Sequence, residues 1–120
     1  MTAMPQSAGL DAVHLDADEI AAIEQAAKRY LAPGSRVGLF GSRLDANRRG
    51  GDIDLLVEPL KPLTARGLVE RRNCFIADLY RLLGERRIDV VMAPIDVPDE
   101  RAVVEIARRD GVVLVEVPTV

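Results

Sequence analysis

The chain contains little of several residue types, and each shortage excludes a class of site or of protein. It has one cysteine, Cys74, and one histidine, His14, which excludes an internal disulfide and any zinc site built from cysteine and histidine. No apolar run approaches the roughly 20 residues that a membrane-spanning helix requires, so we expect no membrane partner. Because Cys74 lies in an apolar helical pattern, we expect it to be a small buried residue.

Aromatic residues make up 3% of the chain and tryptophan is absent, so the core must be aliphatic. With 120 residues, of which 48% are hydrophobic, the chain is long enough for one domain with a modest core. The net charge of −3 argues against nonspecific binding to long nucleic acid, because proteins that bind it are usually basic. The first residues lack the charged and apolar regions of a secretory signal, so we expect the protein to be located in the cytoplasm.

Apolar periodicity and turn residues predict an alternation of helices and strands after a flexible leader over residues 1–14. In chain order we expect a helix from Asp16 to about Leu31, strands at 36–40 and 52–58 with a short helical piece at 43–47 between them, a helix from Thr64 to about Leu83, a strand at 87–92, a helix at 96–110 and a strand at 112–117. This order predicts one α/β (α+β) domain over residues 15–120: a small mixed β-sheet with helices packed on one face and the functional site on the other.

Two aspartates separated by one residue form the most informative motif of the chain, Asp52-Ile53-Asp54. Side chains alternate between the two faces of a strand, so Asp52 and Asp54 share one face. Two carboxylates held that close repel each other unless a positive charge lies between them. Mg²⁺ is commonly bound by one or two carboxylates together with the phosphates of a substrate. The motif therefore predicts a magnesium site, with Mn²⁺ as the alternative metal.

A third acid, Asp89, interrupts a predicted apolar strand. A charge in the middle of a sheet is costly unless it is paired or bound to a metal. Two explanations are open. Asp89 forms a salt bridge with Arg86 or Arg87, or it lies on a strand beside Asp52 and Asp54 as a third metal ligand. In the second case it would hold the metal that activates a hydroxyl group, and it would be placed to accept the hydroxyl proton.

A glycine–serine turn, Gly41-Ser42, precedes the two aspartates. Glycine allows the backbone to approach a phosphate group closely. Ser42 offers a hydroxyl and an N–H group to phosphate oxygens, most effectively at the start of a helix. Arg43 follows, and two roles for it are open: it neutralises phosphate charge, or it braces the loop. We therefore expect Gly41, Ser42 and Arg43 to bind the phosphates of a nucleotide.

These residues together resemble the polymerase-β-like nucleotidyltransferase superfamily. The resemblance rests on Gly41-Ser42, nine intervening residues, Asp52-Ile53-Asp54, and Asp89 on a later strand. The small size and the run Gly-Asp-Ile-Asp-Leu-Leu-Val look most like the minimal nucleotidyltransferases (MNT) of bacteria and archaea. The resemblance covers about residues 17–117, and Gly51 stands where the family often has a serine.

The resemblance implies a nucleotidyltransferase fold and an Mg²⁺-dependent enzyme. Such an enzyme transfers a nucleoside monophosphate from a nucleoside triphosphate, with ATP the first candidate, to a hydroxyl acceptor. The family's catalytic and metal-binding carboxylates map onto Asp52, Asp54 and Asp89, and its phosphate-binding turn maps onto Gly41 and Ser42.

The resemblance also implies a partner. Many minimal members are encoded beside a HEPN protein, typically a toxic ribonuclease, and act as its antitoxin, in some pairs by adenylylating a tyrosine of the toxin. Three other interpretations are open: a binding module that neutralises a partner without turnover, a small-molecule nucleotidyltransferase of the antibiotic-modifying kind, and a plain α/β domain with surface acids. The sequence does not fix the oligomeric state.

Overall fold

The computed structural model describes residues 15–41, 52–60, 63–84 and 86–118. Its elements are α1 (Ala17–Tyr30), β1 (Arg36–Phe40), β2 (Ile53–Glu58), α2 (Ala65–Leu83), β3 (Ile88–Met92), α3 (Ala102–Asp110) and β4 (Val112–Glu116). This order confirms the predicted α+β class. The predicted leader at 1–14 and the helical piece at 43–47 lie outside the described residues. No helix within the described ranges is long and apolar enough to cross a membrane.

The four strands form one mixed sheet in the order β3-β2-β1-β4. Strand β1 is antiparallel to both β2 and β4, whereas β2 and β3 are parallel. Phe40 lies opposite Asp54 on the neighbouring strand, and Asp54 lies opposite Asp89. We call these three positions, which cross β1, β2 and β3 side by side, the carboxylate row.

Helices α1 and α2 cover one face of the sheet, as the sequence predicts, whereas α3 does not join them there. Ile53, Leu55 and Val57 point to this face and are buried. They belong to the main core, in which Phe75 and Leu79 of α2 are fully buried. The helices begin where local hydrogen bonds fix them: Asp16 and Glu19 form a capping box at α1, and the Thr64 side chain caps α2.

Cys74 is exposed, so its predicted burial is wrong. The buried stripe of α2 runs through Phe75 and Leu79, which are one helical turn apart. Cys74 precedes Phe75 by one residue, about 100° around the helix axis. That rotation takes its thiol out of the core.

The opposite face of the sheet, which carries Asp54, Leu56 and Glu58, is partly covered by α3. Val104 and Ala107 of this helix pack on Leu56 in a small second core. An apolar Leu56 flanked by Gly38 requires a cover, because exposed apolar surface is unfavourable. We call this side of the sheet the second face. Helix α3 crosses its middle, and the carboxylate row lies at one end.

Helix α3 begins at Ala102, six residues later than the sequence predicts. Pro98 interrupts the predicted segment, and Asp96 adopts a positive φ of 61°. The Asp99 carboxylate binds the backbone N–H and the guanidinium of Arg101. The hydrogen bonds from Arg101 lower the pKa of Asp99 to about 2. These local hydrogen bonds compete with helix formation before residue 101.

The outer strand β3 has two of its carbonyl groups engaged by arginine side chains. Arg72 Nε donates to the Val90 carbonyl oxygen at 2.9 Å. Arg101 Nη2 donates to the Met92 carbonyl oxygen at 2.8 Å. At the other edge of the sheet, the pairing of β4 with β1 shifts register at Val37 and Gly38. Both outer strands therefore depart from a regular open edge.

A buried ion pair holds α3 on the second face. The Glu58 side chain is only 10% exposed and accepts from Arg108 Nε at 2.9 Å. Arg36 lies on its other side, with Nη2 at 3.5 Å from Oε1. Arg108 also donates to the carbonyl oxygens of Val97 and Pro94, both at 3.0 Å. One guanidinium thus links α3, the end of β2 and the loop after β3.

Replacing Glu58 should destabilise the protein through this ion pair. We expect Glu58→Gln to lower the free energy of unfolding by about 1.5–3 kcal/mol, the range for a hydrogen bond to a charged group. Asp110→Asn is the matched control, because the Asp110–Arg109 pair is exposed and exposed ion pairs contribute little to stability. Urea denaturation of both variants measures the difference, and equal losses would contradict the assigned role of Glu58.

Candidate active site

Strand direction brings three acids to one end of the second face. Strands β2 and β3 are parallel and both begin at this end, so Asp54 and Asp89, the second residue of each strand, are neighbours. Asp52 precedes β2 and shares the face of Asp54 by the alternation of side chains. Antiparallel β1 ends at the same place and adds Phe40 to the carboxylate row.

The charges of these acids act on one another. Partial burial raises the pKa of Asp54, and the negative charges of Asp89 and Asp52 and a hydrogen bond to the Asp89 side chain raise it further. A hydrogen bond between two carboxyl groups requires a proton on one of them. Asp54 and Asp89 therefore behave as a pair that favours one shared positive charge, either a proton or a cation.

The salt bridge considered for Asp89 does not appear among the described residues. Arg86 Nη1 instead lies 3.6 Å from Glu19 Oε2. Arg87 Nε lies 3.4 Å from Asp52 Oδ1. Within the described ranges, the Asp89 side chain is instead hydrogen-bonded to the Asp54 carboxyl group.

Gly41 follows β1 and supports Asp54 directly. Its φ is +80°, in the left-handed region that favours glycine. A Cβ atom at this position would collide with Asp54 Oδ2 and lie 3.2 Å from Asp54 Cγ. The absence of a side chain thus leaves room for the carboxylate. Ser42 and Arg43, the other predicted nucleotide-binding residues, lie outside the described residues.

The donors have the chemistry that a hard divalent cation prefers, since all three are carboxylates. Asp54 and Asp89 are adjacent, whereas Asp52 faces an arginine. Among the described residues, no group of three or more acidic, histidine or cysteine side chains is arranged around a common point as metal ligands. The acids fit a divalent cation in kind and in charge. Asp54 and Asp89 already lie together, and Asp52 would have to turn away from the arginine to join them.

Sequence reasoning assigned Arg87 to Asp89 as a possible partner and missed its contact with Asp52. The parallel register contains the missing signal. Ile53 pairs with Ile88, so Arg87, the residue before Ile88, lies beside Asp52, the residue before Ile53. The Arg87 carbonyl also accepts from the Ile53 N–H at 2.9 Å. This contact therefore depends on which strands pair and in which register.

No protein-family model matches this chain, and no curated protein matches it.

Substituting Gly41 should show whether its missing side chain serves Asp54. Gly84 is a matched control, because its φ is +78° and nothing lies within 4 Å of the Cβ that alanine would add. We expect Gly84→Ala to cost about 1–3 kcal/mol from the backbone alone, because a φ of 78° with a ψ of −160° is a conformation that essentially only glycine adopts. Gly41→Ala should cost more, because its Cβ also displaces the Asp54 carboxylate. Thermal denaturation of the two variants measures the difference, and a smaller loss for Gly41→Ala would contradict the contact.

Neutralising Asp54 should remove an unfavourable charge. The raised pKa means that the folded protein keeps a proton on Asp54 at pH values where the unfolded chain has lost it. Stability without metal therefore falls as pH rises from the ordinary aspartate pKa of 3.8 through the raised pKa of Asp54. We expect Asp54→Asn to lack this fall and to be as stable as the wild type or more stable at pH 7. Unfolding curves from pH 3 to 8 in EDTA measure it, and a clear loss at pH 7 would indicate a structural role.

Proposed function

We propose that the protein is a metal-dependent nucleotidyltransferase that transfers a nucleoside monophosphate from a nucleoside triphosphate, ATP being the first candidate, to a hydroxyl acceptor. The observation that carries the proposal is the pairing of Asp54 with Asp89 across parallel strands, with Asp52 on the same face. A purely structural role does not account for this placement, because like charges side by side are destabilising.

The proposed reaction is a displacement at the α-phosphorus. The acceptor hydroxyl oxygen forms a bond to that phosphorus, the bond to the bridging oxygen breaks, and pyrophosphate leaves. A bound divalent cation would stabilise the attacking and leaving oxygens. Asp52, Asp54 and Asp89 would hold it. Asp89 is exposed and so is placed to accept the proton of the acceptor hydroxyl.

The acceptor that the resemblance favours is a side-chain hydroxyl of a partner protein, such as a tyrosine of a HEPN toxin, in the cytoplasm. Helix α3 presents Val103 and Ile106 on its surface, with 40% and 46% of each residue exposed. The helix crosses the same face of the sheet as the carboxylate row. A partner lying on this helix would be near the acids, which is consistent with a protein acceptor.

Nucleotide binding can be tested without knowing the acceptor. We expect titration with ATP and Mg²⁺ to shift the backbone amide NMR signals of Gly41, Asp52 to Asp54 and Asp89, and Asp54→Asn to abolish these shifts. Asp99→Asn is the control, because it makes the same substitution at an aspartate that pairs with Arg101, away from the carboxylate row. No shift in the wild type at millimolar ATP would contradict an autonomous nucleotide site.

Transfer is tested with ATP labelled at the α-phosphate and a purified HEPN protein as acceptor. We expect label on the acceptor, and a loss of at least about 100-fold in rate for Asp89→Asn, as is typical when a general base is removed. Asp99→Asn should retain the wild-type rate. Equal rates for the wild type and Asp89→Asn would contradict the proposed role of Asp89.

A binding module without turnover is the second candidate. The contact between Arg87 and Asp52 favours it, because this acid has a partner within the protein when no metal is bound. The two functions differ in one variant: if Asp54→Asn still neutralises a toxic partner, the protein acts by binding, and if neutralisation is lost along with transfer, it acts as an enzyme.

A further inference from the structure

Asp52 has a different environment from the other two acids. Its Oδ1 lies 3.4 Å from Arg87 Nε, whereas Asp54 and Asp89 contact each other. The Asp52 side chain is 32% exposed, and the Arg87 side chain is 86% exposed. The arginine therefore reaches the site from solvent and is not packed in place.

The backbone explains why this arginine can reach that acid. Arg87 and Asp52 immediately precede Ile88 and Ile53, which are paired across parallel strands. The hydrogen bond from the Ile53 N–H to the Arg87 carbonyl fixes the two backbones at this point. The Arg87 side chain remains free to rotate, since its contact with Asp52 is an exposed ion pair of low strength.

We propose that Arg87 is a positioning residue that pairs with the Asp52 carboxylate until a divalent cation replaces it. The Arg87 guanidinium then turns to the triphosphate of the substrate. The inference rests on the proposed function. A carboxylate held by an arginine is kept from the like-charged pair beside it, which limits repulsion in the metal-free protein. When a cation neutralises the acids, the guanidinium loses its partner. A triphosphate bound at the same place offers it new oxygens, and arginine suits phosphate geometry well.

Arg86, the neighbouring residue, provides a comparison within the chain. It carries the same charge, but it pairs with Glu19, whose side chain is only 5% exposed, on the helix side of the sheet. A long-range effect of positive charge on metal binding would appear at both arginines. Competition for Asp52 would appear only at Arg87.

The test is Mn²⁺ binding to the full chain, followed by electron paramagnetic resonance, for Arg87→Gln and Arg86→Gln. We expect Arg87→Gln to bind Mn²⁺ about two- to fivefold more tightly than the wild type without nucleotide, the range that an exposed ion pair allows. In saturating Mn²⁺, the same variant should bind a non-hydrolysable ATP analogue more weakly. Arg86→Gln should change neither affinity by more than a small fraction of these effects.

Opposite changes in the two affinities support the proposal, because a merely structural role for Arg87 would weaken both. Unchanged Mn²⁺ affinity in Arg87→Gln, or equal changes in both arginine variants, would overturn it. If the wild type binds Mn²⁺ but not the analogue, and Arg87→Gln binds Mn²⁺ more tightly, the role toward Asp52 stands and the role toward the triphosphate is wrong. If no form binds Mn²⁺, the proposed function fails, and this inference fails with it.

Discussion

Strands β2 and β3 run parallel in a register that sets Asp54 directly beside Asp89. Two negative charges placed side by side repel each other and weaken the pairing of the two strands. The rest of the structure has to compensate for this loss of stability. The fully buried side chains of Ile53, Leu55 and Val57 on the helix-covered face anchor β2. Partial burial and then the charges of Asp89 and Asp52 raise the pKa of Asp54, and a proton or a cation would relieve the repulsion between these acids.

One part of the second face holds α3 on the sheet, and the other end carries the candidate site. Helix α3 packs on Leu56 in the middle, and the Glu58–Arg108 pair holds it toward the end away from the carboxylate row. A buried charge pair at one end and a pair of like charges at the other have opposite energetic effects. Destabilised positions of this kind are typical of functional sites in otherwise consistent structures.

Local signals predicted much of this fold. The aspartate before α1, the threonine before α2 and the glycine after it marked helix ends correctly, because capping depends on a few adjacent residues. The period of two in β2 separated the core residues from the acids. The start of α3 was wrong because local hydrogen bonds around Asp99 outweigh apolar periodicity. The contact of Arg87 with Asp52 depends on strand register, which only tertiary structure reveals, and the cover that α3 gives to Leu56 is non-local in the same way.

The arginines along the outer strand β3 have a consequence for assembly. Many proteins recruit a partner by adding its extended segment to a free sheet edge, where backbone groups recognise backbone groups with little regard to sequence. Here such a segment would first have to displace Arg72 from Val90 and Arg101 from Met92. Indiscriminate strand addition at this edge is thereby discouraged, as is growth of the sheet into fibrils. A partner that approaches β3 would have to be selected by its own side chains.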